Sequence, residues 1–245
     1  MTTLAKVYIA IMASLATAVL AIVVVRWSAA NISSFTLFFT LALVASAMKI
    51  RLPGLQGNVS INFVFVLVSI ALFSFGETVL IGLGGALIQS LWRPQKPTMP
   101  PQVLFNASCL TVSAAAAYGA SHGLLAALHS NSVAALISVG AGVYVVLNTG
   151  LVSLVISLAE QRSLKEVWQQ CYQWTFPYFL TGAAVAGLAS AAAHGNNLGL
   201  PLLIIPAMYF VYLYYRMHIV RVVLERIANV SGENNVALVG ASQEH

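Results

Sequence analysis

The chain has 245 residues, of which 60% are hydrophobic and only 7% charged, with a formal net charge of +5. Soluble domains carry about 25% charged residues, so 11 basic and 6 acidic side chains cannot clothe a soluble surface of this size. A soluble enzyme, a disordered chain, a disulfide scaffold and a nucleic-acid binder are excluded, the last because the basic residues are scattered. What remains is an all-α fold, a polytopic integral membrane helical bundle whose first partner is the lipid bilayer.

No Lys, Arg, Asp or Glu occurs within 27–48, 52–76, 97–159 or 167–215. A crossing needs about 20 apolar residues, so the longer tracts hold more than one. Gly, Pro and polar clusters place about eight hydrophobic segments, at 5–26, 31–49, 60–75, 77–92, 101–121, 131–159, 175–194 and 198–216. The first is too long for the core of a cleavable signal. The third and fourth share only residues 52–92, with Ser74-Phe75-Gly76-Glu77 as the natural turn. They form either two short, steep helices or a re-entrant hairpin buried among the others.

Next, Arg93-Pro94-Gln95-Lys96-Pro97 and Pro100-Pro101 make a stiff loop that cannot be helical throughout. At 163–174, Ser163 and Glu166 form a capping-box pattern. Leu164, Val167, Trp168, Cys171 and Tyr172 then recur at helical spacing, which predicts one interfacial helix ahead of the seventh span. The bundle is expected to fill 1–228, ending in a short cytoplasmic helix at 216–228, and to be followed by a polar, disordered tail at 229–245. Eight passes with the amino terminus inside put ten of the 11 basic residues on the cytoplasmic face, leaving only Arg26 outside. Both termini are therefore expected in the cytoplasm.

Small residues such as Gly82, Gly84, Gly85, Gly119, Gly140, Gly142, Gly182 and Gly187 are expected to let helices approach closely, since lipid supplies no hydrophobic drive between them. Polar residues at membrane depth must find partners, and these are the ligand-binding candidates. Asn148 and Tyr144 lie one turn apart near the middle of the sixth span. Gln89 and Trp92 end the fourth, while Asn62 and Asn106 start the third and fifth. Glu77 is the only acid between Met1 and Ala159; it either caps the fourth helix or serves a ligand or proton. A cavity is expected between 60–92 and spans five to seven, with these residues as its polar points.

No catalytic residues are expected, and the protein reads as a non-enzyme. The sequence holds no Asp, which removes Ser-His-Asp and Asp-based chemistry. Cys109 and Cys171 lack CxxC spacing. His122, His129, His194, His218 and His245 fall in loops or at ends; the first two can meet His194, but without Cys or carboxylate company no metal site is expected. No cofactor is expected either.

Two stretches carry a resemblance. INFVFVLVSIALFSFGETVLIGLGGALIQSLW at 61–92, with Gln102-Val103-Leu104-Phe105-Asn106, resembles the membrane-embedded amino-terminal sensor regions of bacterial HD-GYP and GGDEF signalling proteins. SLKEVWQQCYQWTFPYFLTG at 163–182 is similar to the same regions, as is the ending Pro206-Ala207-Met208-Tyr209 with Tyr214-Tyr215-Arg216. The resemblance implies a sensor module of the bacterial inner membrane. It would bind a small apolar or amphipathic molecule between helices and relay it to a cytoplasmic signalling partner, or to a second copy through 216–228. It supplies no output enzyme, since only about 15 polar residues follow Asn229. The 60–92 hairpin is also similar in pattern to S components of energy-coupling-factor transporters, which implies the alternative of a membrane substrate-binding subunit.

Overall fold

The computed structural model describes residues 2–27, 32–51, 58–92, 99–193 and 217. In chain order these form α1 (Thr3–Val25), α2 (Ile32–Ser46), β1 (Lys49–Arg51), β2 (Asn58–Ser60), α3 (Asn62–Leu72), α4 (Phe75–Leu91), α5 (Pro100–Ala127), α6 (Val133–Glu160) and α7 (Leu164–Ala193). The body is a helical bundle. Three of its helices, α1, α5 and α6, are long and apolar enough to cross a membrane. The expected eighth segment and the tail lie outside the described residues, as does the cytoplasmic helix apart from Met217.

The described residues are all-α apart from one short hairpin: β1 and β2, three residues each, pair antiparallel, with Lys49 opposite Ser60, Ile50 opposite Val59 and Arg51 opposite Asn58. One expectation needs correction: there is no separate interfacial helix at 163–174. That segment is the first part of α7, which runs unbroken through Pro177 to Ala193. Helix α7 packs along α6 and α3, and neighbouring helices of this kind let a helix continue past a missing proline N–H. Within the expected stripe Val167 is buried, while Leu164 and Trp168 face outward.

The α3–α4 and α5–α6 turns lie at one end of the bundle, called distal here; the β-hairpin and the α6–α7 turn lie at the other, basal end. Helix α3 decides the architecture. Its sequence NFVFVLVSIAL is apolar all round, which suits a helix with no solvent face. Every residue from Asn62 to Ile70 is buried, with α2, α4, α5, α6 and α7 around it. Eleven residues rise only about 16 Å, half the thickness of a bilayer core. The chain turns back at Ser74. Here the Ser74 N–H donates to Glu77 Oε2 at 2.8 Å and the Glu77 N–H donates to Ser74 Oγ at 3.4 Å, a capping box that opens α4.

Glycines set how closely α4 approaches its neighbours. A Cβ on Gly82 would stand 3.1 Å from Ala114 Cβ and 3.3 Å from the Leu110 carbonyl oxygen, so α5 lies almost against bare backbone. On the adjacent face a Cβ on Gly85 would overlap the Asn62 amide of α3. Gly182 of α7 accommodates the Phe63 ring in the same manner, and Phe63 also meets Phe179 edge-on at 4.7 Å. Among the described residues nothing lies within 4 Å of a Cβ placed on Gly119, Gly142 or Gly187, unlike Gly82 and Gly85.

Candidate functional site

The seven expected polar points fall on three levels of the bundle. At the basal end, Asn106 Nδ2 donates to Ser90 Oγ at 3.2 Å and so ties the start of α5 to the end of α4. Gln89 is half-buried beside this pair, and Trp92 is exposed at the C-cap of α4. Asn62 is fully buried against Gly85, and among the described residues neither amide atom has a hydrogen-bond partner. At mid-height, the Cys109 thiol donates to Asn148 Oδ1 at 3.6 Å across the α5–α6 contact. Tyr144 is buried one turn away, edge-on to Phe179 at 6.4 Å. Glu77 sits at the distal turn, 1% exposed, with Oε2 in the capping box and Oε1 without a partner.

A cleft of about 660 Å³ opens elsewhere, at the distal end between α3, α5 and α6. Its floor is apolar: Ala71, Leu125, Ala126, Val133 and Leu136. His122, His129, Ser130, Asn131 and Ser132 supply its polar groups. None of the seven expected residues lines it. It combines apolar and polar groups as ligand sites do, but five of its ten lining residues are exposed, so it is an open depression and not an enclosed cavity.

His122 belongs to the cleft and also to the frame. Its Nε2 lies 2.9 Å from the Ile70 carbonyl oxygen, near the end of α3. A carbonyl only accepts, so Nε2 carries the proton in this bond. The imidazole stacks on Tyr118 with ring centroids 4.1 Å apart, and Tyr118 meets Phe75 edge-on at 5.6 Å. Phe75 is the first residue of α4. One run of contacts therefore joins both sides of the α3–α4 turn to α5, and its last member faces the cleft.

His129 is placed differently. The Ser130 N–H donates to the Leu125 carbonyl at 3.0 Å and the His129 N–H to the Ala126 carbonyl at 3.2 Å. These two bonds make a Schellman ending for α5, whose left-handed position is ordinarily glycine. Here it is His129, with φ 50°. A side chain in that region costs about 1 kcal/mol relative to glycine. Three residues on, Ser132 caps α6: its Oγ accepts from the Ala135 N–H at 3.3 Å. The N–H groups of Val133 and Ala134, in the first turn, have no place in the helix ladder.

Among the described residues no group of three or more His, Cys, Asp or Glu is placed to hold a metal. His194, the third histidine considered from sequence, lies outside them. Sequence reasoning did not single out this cleft. The available signal was the spacing of Tyr118 and His122, one turn apart on α5, which suits a stacked pair.

Comparison with protein-family models, with curated proteins and with solved structures finds no match to this chain.

Proposed function

We propose that the protein is a polytopic membrane module of the sensor type, in which a small amphipathic molecule occupies the distal cleft and the α3–α4 hairpin reads its presence. One observation carries this reading: His122 lines the cleft and at the same time holds the Ile70 carbonyl of the enclosed helix α3. A ligand that moves the imidazole acts directly on the tip of the hairpin. A differential contact of that kind is what a population shift needs. The bundle has about eight membrane segments with both termini in the cytoplasm of a bacterium, and the signal leaves through 216–228 to a cytoplasmic partner or a second copy. The resemblance to sensor regions and the 10-to-1 division of basic residues support this orientation.

Hydrogen exchange in lipid nanodiscs tests the reading. Eight-carbon amphiphiles that raise the thermal stability should also slow exchange at 70–78, and His122→Phe should uncouple the two effects. Stabilisation with unchanged exchange over 70–78 would refute hairpin read-out. Uptake of the same compound into proteoliposomes would instead favour the substrate-binding subunit of a transporter.

Topology gives a second expected result. Single cysteines at 95 and 235, in a background with Cys109 and Cys171 replaced, should resist an impermeant thiol reagent in intact cells, while one at 196 reacts. Labelling at 95 without labelling at 196 would reverse the orientation.

A further inference from the structure

We infer that the basal β-hairpin docks on the surface of the bilayer and grips the phosphodiester headgroups of anionic phospholipids in the cytoplasmic leaflet. This rests on the membrane reading of the bundle and on its orientation, and not on the distal cleft.

The hairpin stands apart from the body it joins. β1 and β2 pair with each other, and neither packs along a helix of the bundle. Its pairing fixes two unlike faces, because residues directly opposite in an antiparallel pair share a face and neighbours along a strand alternate. Lys49, Arg51, Asn58 and Ser60 hold the positions of one face, and Ile50 with Val59 hold the other. Over 49–60 the chain carries these two cations and no acid. Charge complementarity therefore selects an anionic occupant. The small apolar face selects a membrane over a protein: two residues cover far too little area for a stable protein interface, whereas a bilayer surface takes a shallow apolar edge with cations beside it. Other residues mark the same end as the headgroup level. Trp92 and Trp168 are exposed there, and indole rings gather where hydrocarbon meets water. Lys6 and Lys165 are exposed in the first turns of α1 and α7, whereas Arg162 meets Glu160 at 3.5 Å. The choice of anionic lipid follows from the headgroups, since the choline of a zwitterionic lipid neutralises the phosphate that phosphatidylglycerol leaves bare. Beyond β2 the chain runs through the buried Ile61 directly into Asn62, the first residue of α3. A headgroup held at the hairpin is thus joined by two residues to the base of the enclosed helix.

Hydrogen exchange over 49–60 tests this with the full chain in nanodiscs, of phosphatidylcholine alone or mixed with phosphatidylglycerol. Phosphatidylglycerol is expected to slow exchange of the hairpin roughly tenfold or more, and high salt to remove most of the effect. Replacing both cations, Lys49→Gln with Arg51→Gln, should abolish the difference between the two lipids, and exchanging them, Lys49→Arg with Arg51→Lys, should keep it. The pair Lys6→Gln with Lys165→Gln removes the same charge from the same end and should leave the hairpin response within about twofold of wild type. Equal exchange in the two lipids overturns the proposal. So does an equal loss in the two neutralised pairs, which would assign the effect to the field of the whole basal face and not to the hairpin. Glycerol phosphate added to phosphatidylcholine discs is expected to do nothing; slowing by it would make a soluble phosphate ester the occupant and overturn the bilayer as partner. Exchange over 70–78 with an added amphiphile reports the distal cleft separately, so the two readings fail independently.

Discussion

Phe65→Ala is expected to be among the most damaging single truncations in the bundle. Phe65 is fully buried at the middle of α3 and packs on Phe38 of α2, with ring centroids 5.2 Å apart. In a water-referenced core such a change costs about 3–5 kcal/mol, made of a transfer term and a cavity term. Lipid removes most of the transfer term, because an exposed ring is as comfortable among acyl chains as in the protein. The cavity term stays. At about 24 cal/mol per Å³ and roughly 100 Å³ of lost side chain, it alone amounts to about 2.4 kcal/mol. Reversible unfolding in mixed micelles should therefore show a loss of at least about 2 kcal/mol for Phe65→Ala. Val24→Ala, on the exposed side of α1, should stay within about 0.5 kcal/mol of wild type. Similar losses at the two positions would mean that α3 is not enclosed.

The second large effect is expected at Gly85. An alanine there would place its methyl group into the Asn62 amide, and both residues are buried with no slack on either side. Overpacking of this kind costs about 1–3 kcal/mol. Asn62→Ala is a different matter. It deletes two buried amide atoms that have no hydrogen-bond partner, so the small cavity it opens is offset by relief of their desolvation. The single change at Asn62 should be near neutral. Combined with Gly85→Ala it should restore most of the lost stability, since the new methyl group then occupies the space the amide vacates. A double-mutant cycle should return a coupling of about 1 kcal/mol or more. Additive effects would show that Gly85→Ala acts through the helix backbone and not through Asn62.

Much of the helix framework was legible because apolar runs declare themselves by length. The segments expected at 5–26 and 131–159 correspond to α1 and α6 within a few residues, and Ser74 with Glu77 announces the cap that opens α4. The capping-box pattern at Ser163 and the apolar stripe over 164–172 set a separate helix ahead of the seventh span, whereas both stretches belong to the one helix α7, because a local pattern marks where a helix starts but not how far its neighbours let it run. The glycines divide in the same manner. Among the described residues Gly82 and Gly85 meet close neighbours while a Cβ on Gly119 or Gly142 would meet none within 4 Å, although all four look alike in a hydropathy trace. Spacing assigns a face, and only the fold says what lies opposite it.

The candidate site was less legible for a related reason. Asn148 and Tyr144 stand out in an apolar run, and the structure brings them to Cys109 and Phe179. His122 does not stand out, since its decisive partner is a carbonyl 52 residues earlier in the chain. A backbone acceptor has no sequence signature. Nor does the left-handed position of His129, which depends on how α5 ends relative to α6.

The enclosure of α3 also imposes an order of assembly. Phe63 is covered by Phe179 and Gly182, which the ribosome delivers more than a hundred residues later. Until α7 emerges, the hairpin has its own capping box and its contact with α5, but one side of α3 stays uncovered. Partly made chains therefore hold a helix too short to span a bilayer with an aromatic face turned outward. Such a face is an occasion for a membrane chaperone or for pairing between nascent chains, and it closes only once α7 has been made.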